Sequence, residues 1–285
     1  MSCQLYKCRL LFCFAAAIFI FAGCAPEFQM PLEVCPGKGS VTEALSALQS
    51  QSQNIVPLWA KGRCLLQYYA DKKKHKEILS VKVLVKPPVE MYLQGDATLV
   101  PKAIVLGSNQ EEFWLLLRPE ISTYGWGKWS EQDSSETLII NPKTLLEALG
   151  IAEVDAEENW SLSNEGAFDI LTKRDRGVAI KKIYVYSCDY LVRKIEYFDV
   201  YGQLAVVAEL DRYKQVLEGF FVPARIKIIE RAEDTGEDSL SITLNLTSIK
   251  PASEKQQKFP FNRPPTRGFK HIIRKIGGRW IEQPQ

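Results

Sequence analysis

The side chains that most often carry catalysis are sparse in this sequence. Only two His occur among 285 residues, which disfavours a histidine-dependent enzyme and a multi-histidine metal site. His75 lies in a run of lysines and His271 in a basic segment, so neither is expected beside a nucleophile. Motifs such as GxSxG, HExxH and the phosphate-binding loop do not occur. Asp189 and Glu196 could converge, but nothing in the sequence singles out a carboxylate pair. We therefore expect no enzyme activity, no cofactor and no metal site.

A different chemistry is indicated at the N-terminus. Residues 1–23 combine a short basic start with an apolar run from Leu10 to Phe21 and small residues after it. A bilayer span needs about 20 apolar residues, and this run is much shorter. The pattern is typical of a cleaved secretory signal.

Cys24 follows Ala22 and Gly23 directly, and this arrangement resembles the lipobox of bacterial lipoproteins. The resemblance implies that Cys24 becomes an acylated N-terminus whose lipid chains hold the protein on a membrane. A plain secretory signal or an uncleaved anchor is the alternative. Because Ala25 rather than Asp follows the Cys, the same resemblance favours the outer membrane, with the protein facing the periplasm.

Three further cysteines remain after the signal and the lipidation site: Cys35, Cys64 and Cys188. They lack CxxC spacing, which disfavours a redox or zinc role. In an oxidising compartment we expect either one disulfide with one buried thiol or three buried thiols. The sequence leaves the pairing open.

The pattern of helices and strands along the rest of the sequence predicts a single β-rich domain. Residues 24–39 form a tether, residues 40–254 the domain and residues 255–285 a basic tail. Ser40 to Glu43 form a capping box that opens an amphipathic helix, and a second helix is expected between Asn141 and Gly150.

Most of the domain alternates apolar and polar residues, as in Leu79 to Lys86 and in Leu240 to Thr247. This period of two predicts antiparallel strands with one buried and one solvated face. About ten strands with no βαβ alternation indicate an α+β fold, mainly antiparallel β. We expect a curved, open (half) β-barrel with a few helices that cover the concave side.

Two stretches of the chain are distinctive in their order. Leu58 to Arg63 enter the first strand, and a strand-turn-strand pattern runs from Ile183 to Ile228. This order of elements resembles the bacterial outer-membrane lipoprotein-sorting family of LolA, LolB and their relatives. Trp59, Gly62 and Arg63 are the only positions that we align with the family. The resemblance implies a half-open barrel whose apolar concavity holds acyl chains.

The implied function is that of a membrane-anchored carrier or acceptor of the acyl chains of lipids or lipoproteins. The alternative is a lipid-anchored periplasmic scaffold or assembly factor that uses the same fold to bind another envelope protein, without lipid transfer.

Aromatic residues are concentrated in the N-terminal half of the predicted sheet. Large rings on a concave sheet can line an apolar pocket, although aromatic residues also fill ordinary cores. The candidate lining residues of a lipid cavity are Trp59, Tyr68, Trp114, Tyr124 and Trp126.

Two basic segments are candidates for contact with a membrane or an acidic partner. One is a hairpin tip that contains Lys72, Lys73 and Lys74. The other is the tail, where apolar residues recur at helical spacing and predict a basic amphipathic segment on a membrane surface, or else a helix or strand docked on the sheet. Its candidate contact residues are Lys270, Arg274 and Lys275. Because 36 Lys+Arg nearly balance 34 Asp+Glu, we expect no nucleic-acid partner.

Overall fold

The computed structural model describes residues 32–52, 54–70, 73–118, 122–131, 142–150, 159–231, 238–277 and 279–284. The predicted signal segment, the lipidation site Cys24 and Lys72 lie outside the described residues. Val34–Gln285 form one compact unit.

Within the described ranges, the helices are α1 (Val41–Ser52), α2 (Pro142–Ala148), α3 (Glu254–Gln257) and a 3-10 helix (Trp129–Glu131). The strands are β1 (Leu58–Ala70), β2 (Lys73–Lys86), β3 (Glu90–Asp96), β4 (Ile104–Ser108), β5 (Glu112–Leu117), β6 (Thr123–Lys128), β7 (Trp160–Glu165), β8 (Phe168–Asp175), β9 (Val178–Tyr186), β10 (Val192–Phe198), β11 (Leu204–Leu217), β12 (Phe220–Arg231), β13 (Asp238–Pro251), β14 (His271–Ile276) and β15 (Arg279–Glu282).

All these strands belong to one sheet in the order β15-β14-β6-β5-β4-β3-β2-β1-β13-β12-β11-β10-β9-β8-β7. The meander β1 to β6 extends from one side of β1, and β13 returns to its other side at the end of the meander β7 to β13. Pairing is antiparallel throughout except between β14 and β6, which are parallel. The sheet does not close, since β15 and β7 form its two edges. The predicted fold class, a mainly antiparallel curved open barrel with few helices, is confirmed.

Helix α1 begins where the capping box was predicted. The Glu43 backbone N–H donates to Ser40 Oγ at 3.2 Å, and the Glu43 carboxylate accepts the Gly39 backbone N–H at 3.0 Å. The side chains of Ala44, Leu45 and Leu48 are buried along one stripe of the helix. This stripe packs into the main core, which stabilises a helix too short to persist alone.

The sheet has two differently covered faces. The concave face carries the main core, formed by alternate residues of the strands and covered by α1 and α2. The opposite face of β1 to β6 carries two smaller apolar clusters, which pack against residues 252–270. We call this segment the strap, because it leads from the end of β13 across the face of β1 to β6 and continues into β14.

The predicted tail is part of the sheet. Of the alternatives predicted for the tail, the docked strand is the one observed: His271–Ile276 and Arg279–Glu282 form a β-hairpin (β14 and β15) that extends the sheet beyond β6. Strand β6 offers a row of backbone hydrogen-bonding groups, and pairing with it satisfies the polar backbone of the tail.

The disulfide pairing that the sequence left open is settled by the structure. Cys35 and Cys188 form the disulfide, with 5.0 Å between their Cα atoms. Cys64 is a buried free thiol in β1, and burial raises its pKa to about 12. This thiol is therefore a packing group rather than a nucleophile.

Candidate functional site

The concave face encloses a small apolar cavity at its centre. We call it the central cavity. Its volume is about 40 Å³, and Leu145 of α2 lies over it. Its other walls come from six neighbouring strands, β12, β13 and β1 to β4: Cys64, Leu66, Leu79, Val81, Leu93, Ile104, Leu106, Ile228, Ile242 and Leu244. Because these side chains are almost all hydrocarbon, the cavity suits an apolar group and offers no partners to water.

A larger pocket opens where β1 turns into β2, and we call it the end pocket. Its volume is about 340 Å³, within the range of about 300–1,000 Å³ usual for small-molecule sites. Leu66 and Ile104 line both this pocket and the central cavity, so the two spaces are neighbours. The remaining walls are Tyr68, Glu77, Ile78, Ala97, Thr98, Val100, Ala103, Leu117 and Arg118.

Polar side chains are also part of the lining of the end pocket. The Tyr68 hydroxyl donates to Glu77 Oε1 at 3.0 Å, and the Tyr68 ring stacks on His75 with 5.1 Å between centroids. The exposed Arg118 follows β5 on another side of the pocket. The lining thus combines apolar and polar side chains, as expected for a ligand with a long apolar part and a polar end.

Helix α2 is fixed to the concave face by a mostly buried polar cluster. Glu147 Oε2 accepts a hydrogen bond from Lys181 Nζ of β9 at 2.7 Å and from the Tyr197 hydroxyl of β10 at 2.5 Å. Burial alone would raise the pKa of Glu147, but the Lys181 charge and these hydrogen bonds outweigh it and hold the pKa below 4.5. Burial and the Glu147 charge keep the pKa of Tyr197 well above 10, so its hydroxyl stays protonated and donates.

A third cavity of about 80 Å³ lies between α1 and α2. Gln51, Glu147 and Lys181 supply polar atoms to its wall, while most of the lining is aliphatic or aromatic. The concave face therefore has small enclosed spaces on both flanks of α2 and one larger pocket at its end.

The structure separates the five aromatic residues predicted to line a lipid cavity. Tyr68 lines the end pocket. Trp59, Trp114, Tyr124 and Trp126 belong instead to the clusters of the opposite face. The prediction that these four residues line a lipid cavity is therefore wrong. Alternate residues of a strand point to opposite faces of the sheet, and these four point away from the concave face.

These four rings are held between the sheet and its covering segment. Trp114 is fully buried and packs over Gly107, where an added Cβ would lie 2.5 Å from the ring. The Tyr124 hydroxyl donates to the carbonyl of Pro264. The Trp126 ring centroid lies 4.0 Å from the guanidinium carbon of Arg263 and 4.6 Å from that of Arg274.

The predicted contact residues of the two basic segments differ in their exposure to solvent. Lys73 and Lys74 are exposed at the start of β2. Lys270 is exposed at the end of the strap, whereas Arg274 pairs with Glu131 at 2.5 Å. Lys275 is only 4% exposed, which corrects its assignment to a membrane-contacting face.

Sequence reasoning missed the aliphatic residues that line the end pocket and the cluster that holds α2. Leu66 could have been found, since it shares the parity of Cys64 and Tyr68 in β1. Glu147 and Lys181 gave no local signal, because their pairing joins a helix to a strand 34 residues away.

No group of three or more His, Cys, Asp or Glu lies close enough together to hold a metal ion in the described part of the chain. None of the described helices is long and apolar enough to span a membrane.

No family model and no curated protein matches the chain. Among solved structures, an outer membrane lipoprotein-sorting protein domain from Vibrio parahaemolyticus matches with a TM-score of 0.50 at 14% identity, over 76% of this chain and 95% of that one. A LolA superfamily protein from Nitrosomonas europaea matches with a TM-score of 0.49 at 14% identity, over 79% of this chain and 99% of that one. A complex of the CwlD amidase with the GerS lipoprotein from Clostridioides difficile matches with a TM-score of 0.29 at 13% identity, over 64% and 99%. The resemblance to lipoprotein-sorting proteins is confirmed at the level of the fold.

Proposed function

We propose that this chain is a lipid-anchored carrier or acceptor of acyl chains in the bacterial cell envelope. An acyl chain enters the end pocket and reaches towards the central cavity beneath α2, and its polar end stays near Tyr68 and Arg118. Binding is by sequestration from water, without covalent chemistry. Cys24 carries the lipid anchor, and the outer membrane facing the periplasm is the proposed location.

One observation carries this proposal. The end pocket and the central cavity share Leu66 and Ile104 in their walls, so the two spaces adjoin on the covered face of the sheet. Burial of apolar surface contributes about 25 cal/mol per Å², and an alkyl chain would gain wherever it lies against the aliphatic walls of these two spaces. The fold shared with a lipoprotein-sorting domain supports the same function.

The alternative function, a periplasmic scaffold or assembly factor, is favoured by the close packing of the concave face. The spaces beside α2 are only about 40 and 80 Å³, which leaves no room for a full acyl chain unless α2 moves. A protein that used this fold only as a binding surface would need no such movement.

Titration with a fluorescent fatty acid distinguishes the two functions. We expect saturable binding by the chain and a loss of about tenfold or more in affinity for Ala97→Trp, because the indole fills the mouth of the end pocket. Leu117→Trp, on another wall of the same pocket, should have the same effect.

The matched control is Leu99→Trp in the same loop as Ala97. Leu99 is 91% exposed and does not line the pocket, so this variant should bind the probe as the parent chain does. Equal thermal unfolding of the three variants would show that the fold is kept. Absence of saturable binding by the parent chain would contradict the carrier function and favour the scaffold.

A further inference from the structure

The walls around the end pocket limit how much of a ligand it can hold. Its volume is about 340 Å³, and that of the adjoining central cavity is about 40 Å³. A methylene group fills about the same volume as a water molecule in the liquid, about 30 Å³. The end pocket therefore holds about eleven methylene groups, and the central cavity has room for about one more.

A ligand with several acyl chains is much larger than these spaces. At the same volume per carbon, two chains of about 16 carbons occupy about 1,000 Å³, and three such chains occupy about 1,400 Å³. The cavity between α1 and α2 adds about 80 Å³ and shares no lining residue with the end pocket. Even together, the three spaces supply only about half of the volume that two chains need.

The cover of the central cavity is held in place, which opposes any enlargement of this space. Leu145 of α2 lies over the cavity, and both Leu145 and Leu146 are buried. Glu147 on the same helix accepts hydrogen bonds from Lys181 and Tyr197 of the sheet. Lifting α2 would expose the apolar side chains and break these hydrogen bonds, and both changes cost free energy.

Leu66 of β1 and Ile104 of β4 mark the inner end of the end pocket. Both residues line the end pocket and the central cavity, so their side chains lie at the boundary between the two spaces. An alkyl chain in the end pocket ends where it meets these two side chains. A smaller side chain at either position would join the spaces and lengthen the chain that fits.

We propose that the end pocket selects lipids with a single alkyl chain of about 12 carbons, and that Leu66 and Ile104 determine this length. The class comprises medium-chain fatty acids and lysophospholipids, in which one chain ends in a carboxylate or a phosphate head group. Two-chain phospholipids and triacylated lipopeptides are too large for the pocket. This inference rests on the proposed acyl-binding function and narrows its ligands to one class.

Calorimetric titration of the full chain with straight-chain carboxylates, from octanoate to hexadecanoate, tests the chain length. Each methylene that enters the pocket should tighten binding about fourfold, so affinity should rise up to dodecanoate and level off beyond it. A rise that continues to hexadecanoate would overturn the length limit and leave the acyl-binding site standing. Absence of binding by all these acids would instead contradict the acyl-binding site itself, and the limit with it.

Native mass spectrometry tests the number of chains. Dodecanoyl-lysophosphatidylglycerol and didodecanoylphosphatidylglycerol share a head group and a chain length, and they differ by one chain. After incubation with an equimolar mixture, adducts of the one-chain lipid should exceed those of the two-chain lipid about tenfold or more. Equal adducts of the two lipids, or an equal adduct of a triacylated lipopeptide, would overturn the proposal.

The head group is identified by a second mixture, which contains dodecanoic acid and the same lysophospholipid. Both molecules have the single chain that the pocket admits, so an adduct of either supports the proposal. The more abundant adduct shows whether the carboxylate or the phosphate head group is preferred. Binding of neither molecule would overturn the proposal.

Leu66→Ala tests the boundary between the two spaces. It removes three side-chain carbons and joins the central cavity to the end pocket, so the preferred acid should become about four carbons longer. Leu58→Ala is the matched control, because Leu58 is 3% exposed in the same strand and lines neither space. It should keep the preference for dodecanoate.

An unchanged preference in folded Leu66→Ala, or an equal shift in Leu58→Ala, would overturn the role of the boundary. Ile104→Val is the milder second variant and decides the question if Leu66→Ala does not fold. It removes one carbon from the same boundary, so the preferred acid should become about two carbons longer. No shift in this variant would likewise contradict the role of the boundary.

Discussion

The two faces of the N-terminal half of the sheet are both apolar, but they are covered in different ways. The face opposite the helices is closed by the chain's own strap, and the rings of Trp114 and Tyr124 beneath it are completely buried. The concave face is covered by short helices that leave the central cavity and the end pocket unfilled. Large aromatic rings thus mark the permanently packed face here, and smaller aliphatic residues mark the face with room for a ligand.

Because the two faces are covered differently, we predict that a substitution beneath the strap lowers stability without affecting ligand binding. Trp114→Ala removes a fully buried ring and should lower the free energy of unfolding by about 3–5 kcal/mol. Urea titration measures this loss. The fatty-acid affinity of the folded variant should equal that of the parent chain, and a large loss of affinity in a variant that is still folded would break the contrast between the faces.

A smaller effect is expected at the polar cluster that fixes α2. Lys181→Met leaves the mostly buried Glu147 carboxylate without its cationic partner and should cost about 3 kcal/mol. Lys182→Met, next along β9 and facing the other side of the sheet, is the control and should change stability by less than about 0.5 kcal/mol. Equal losses in the two variants would show that the cluster does not hold the helix.

The smallest expected effect is on the pH dependence of stability in acid. Because the pKa of Glu147 is lower in the folded chain than its ordinary 4.5, its contribution to stability is present above pH 4.5 and is lost as the pH falls through the folded-state value. The dependence of unfolding free energy on pH in this acidic range should therefore be shallower in Glu147→Gln. Parallel curves for the variant and the parent chain would contradict this assignment.

Much of the fold was predictable because its signals are local. The alternation of Leu79, Val81, Val83 and Val85 is reproduced as the buried side of β2, and the capping box begins α1. For the tail, the sequence left a membrane-surface segment and a docked helix or strand open, because strand pairing at the edge of a sheet is a long-range event and the spacing of four apolar residues does not reveal a partner strand.

The faces of the sheet on which the aromatic residues lie were predictable from the sequence only in part. Trp59 and Tyr68 are separated by an odd number of positions in one strand, so they could not have faced the same side. The faces of Trp114 and Trp126 depend on the register between β5 and β6 and on the strap, which no local pattern encodes. The aliphatic walls of the end pocket come from several strands and a loop, and only the assembled sheet brings them together.

Photo-crosslinking with a diazirine-bearing fatty acid tests the central claim most directly, because it reports which face holds the chain. After irradiation, fragment-ion mass spectrometry should place the label on concave-face residues such as Leu66, Ile104 and Leu117, and competition with unlabelled fatty acid should remove it. Ala97→Trp should abolish this labelling, while Leu99→Trp should not. Label confined to residues beneath the strap, or label that fatty acid does not compete away, would contradict an acyl-binding site on the concave face.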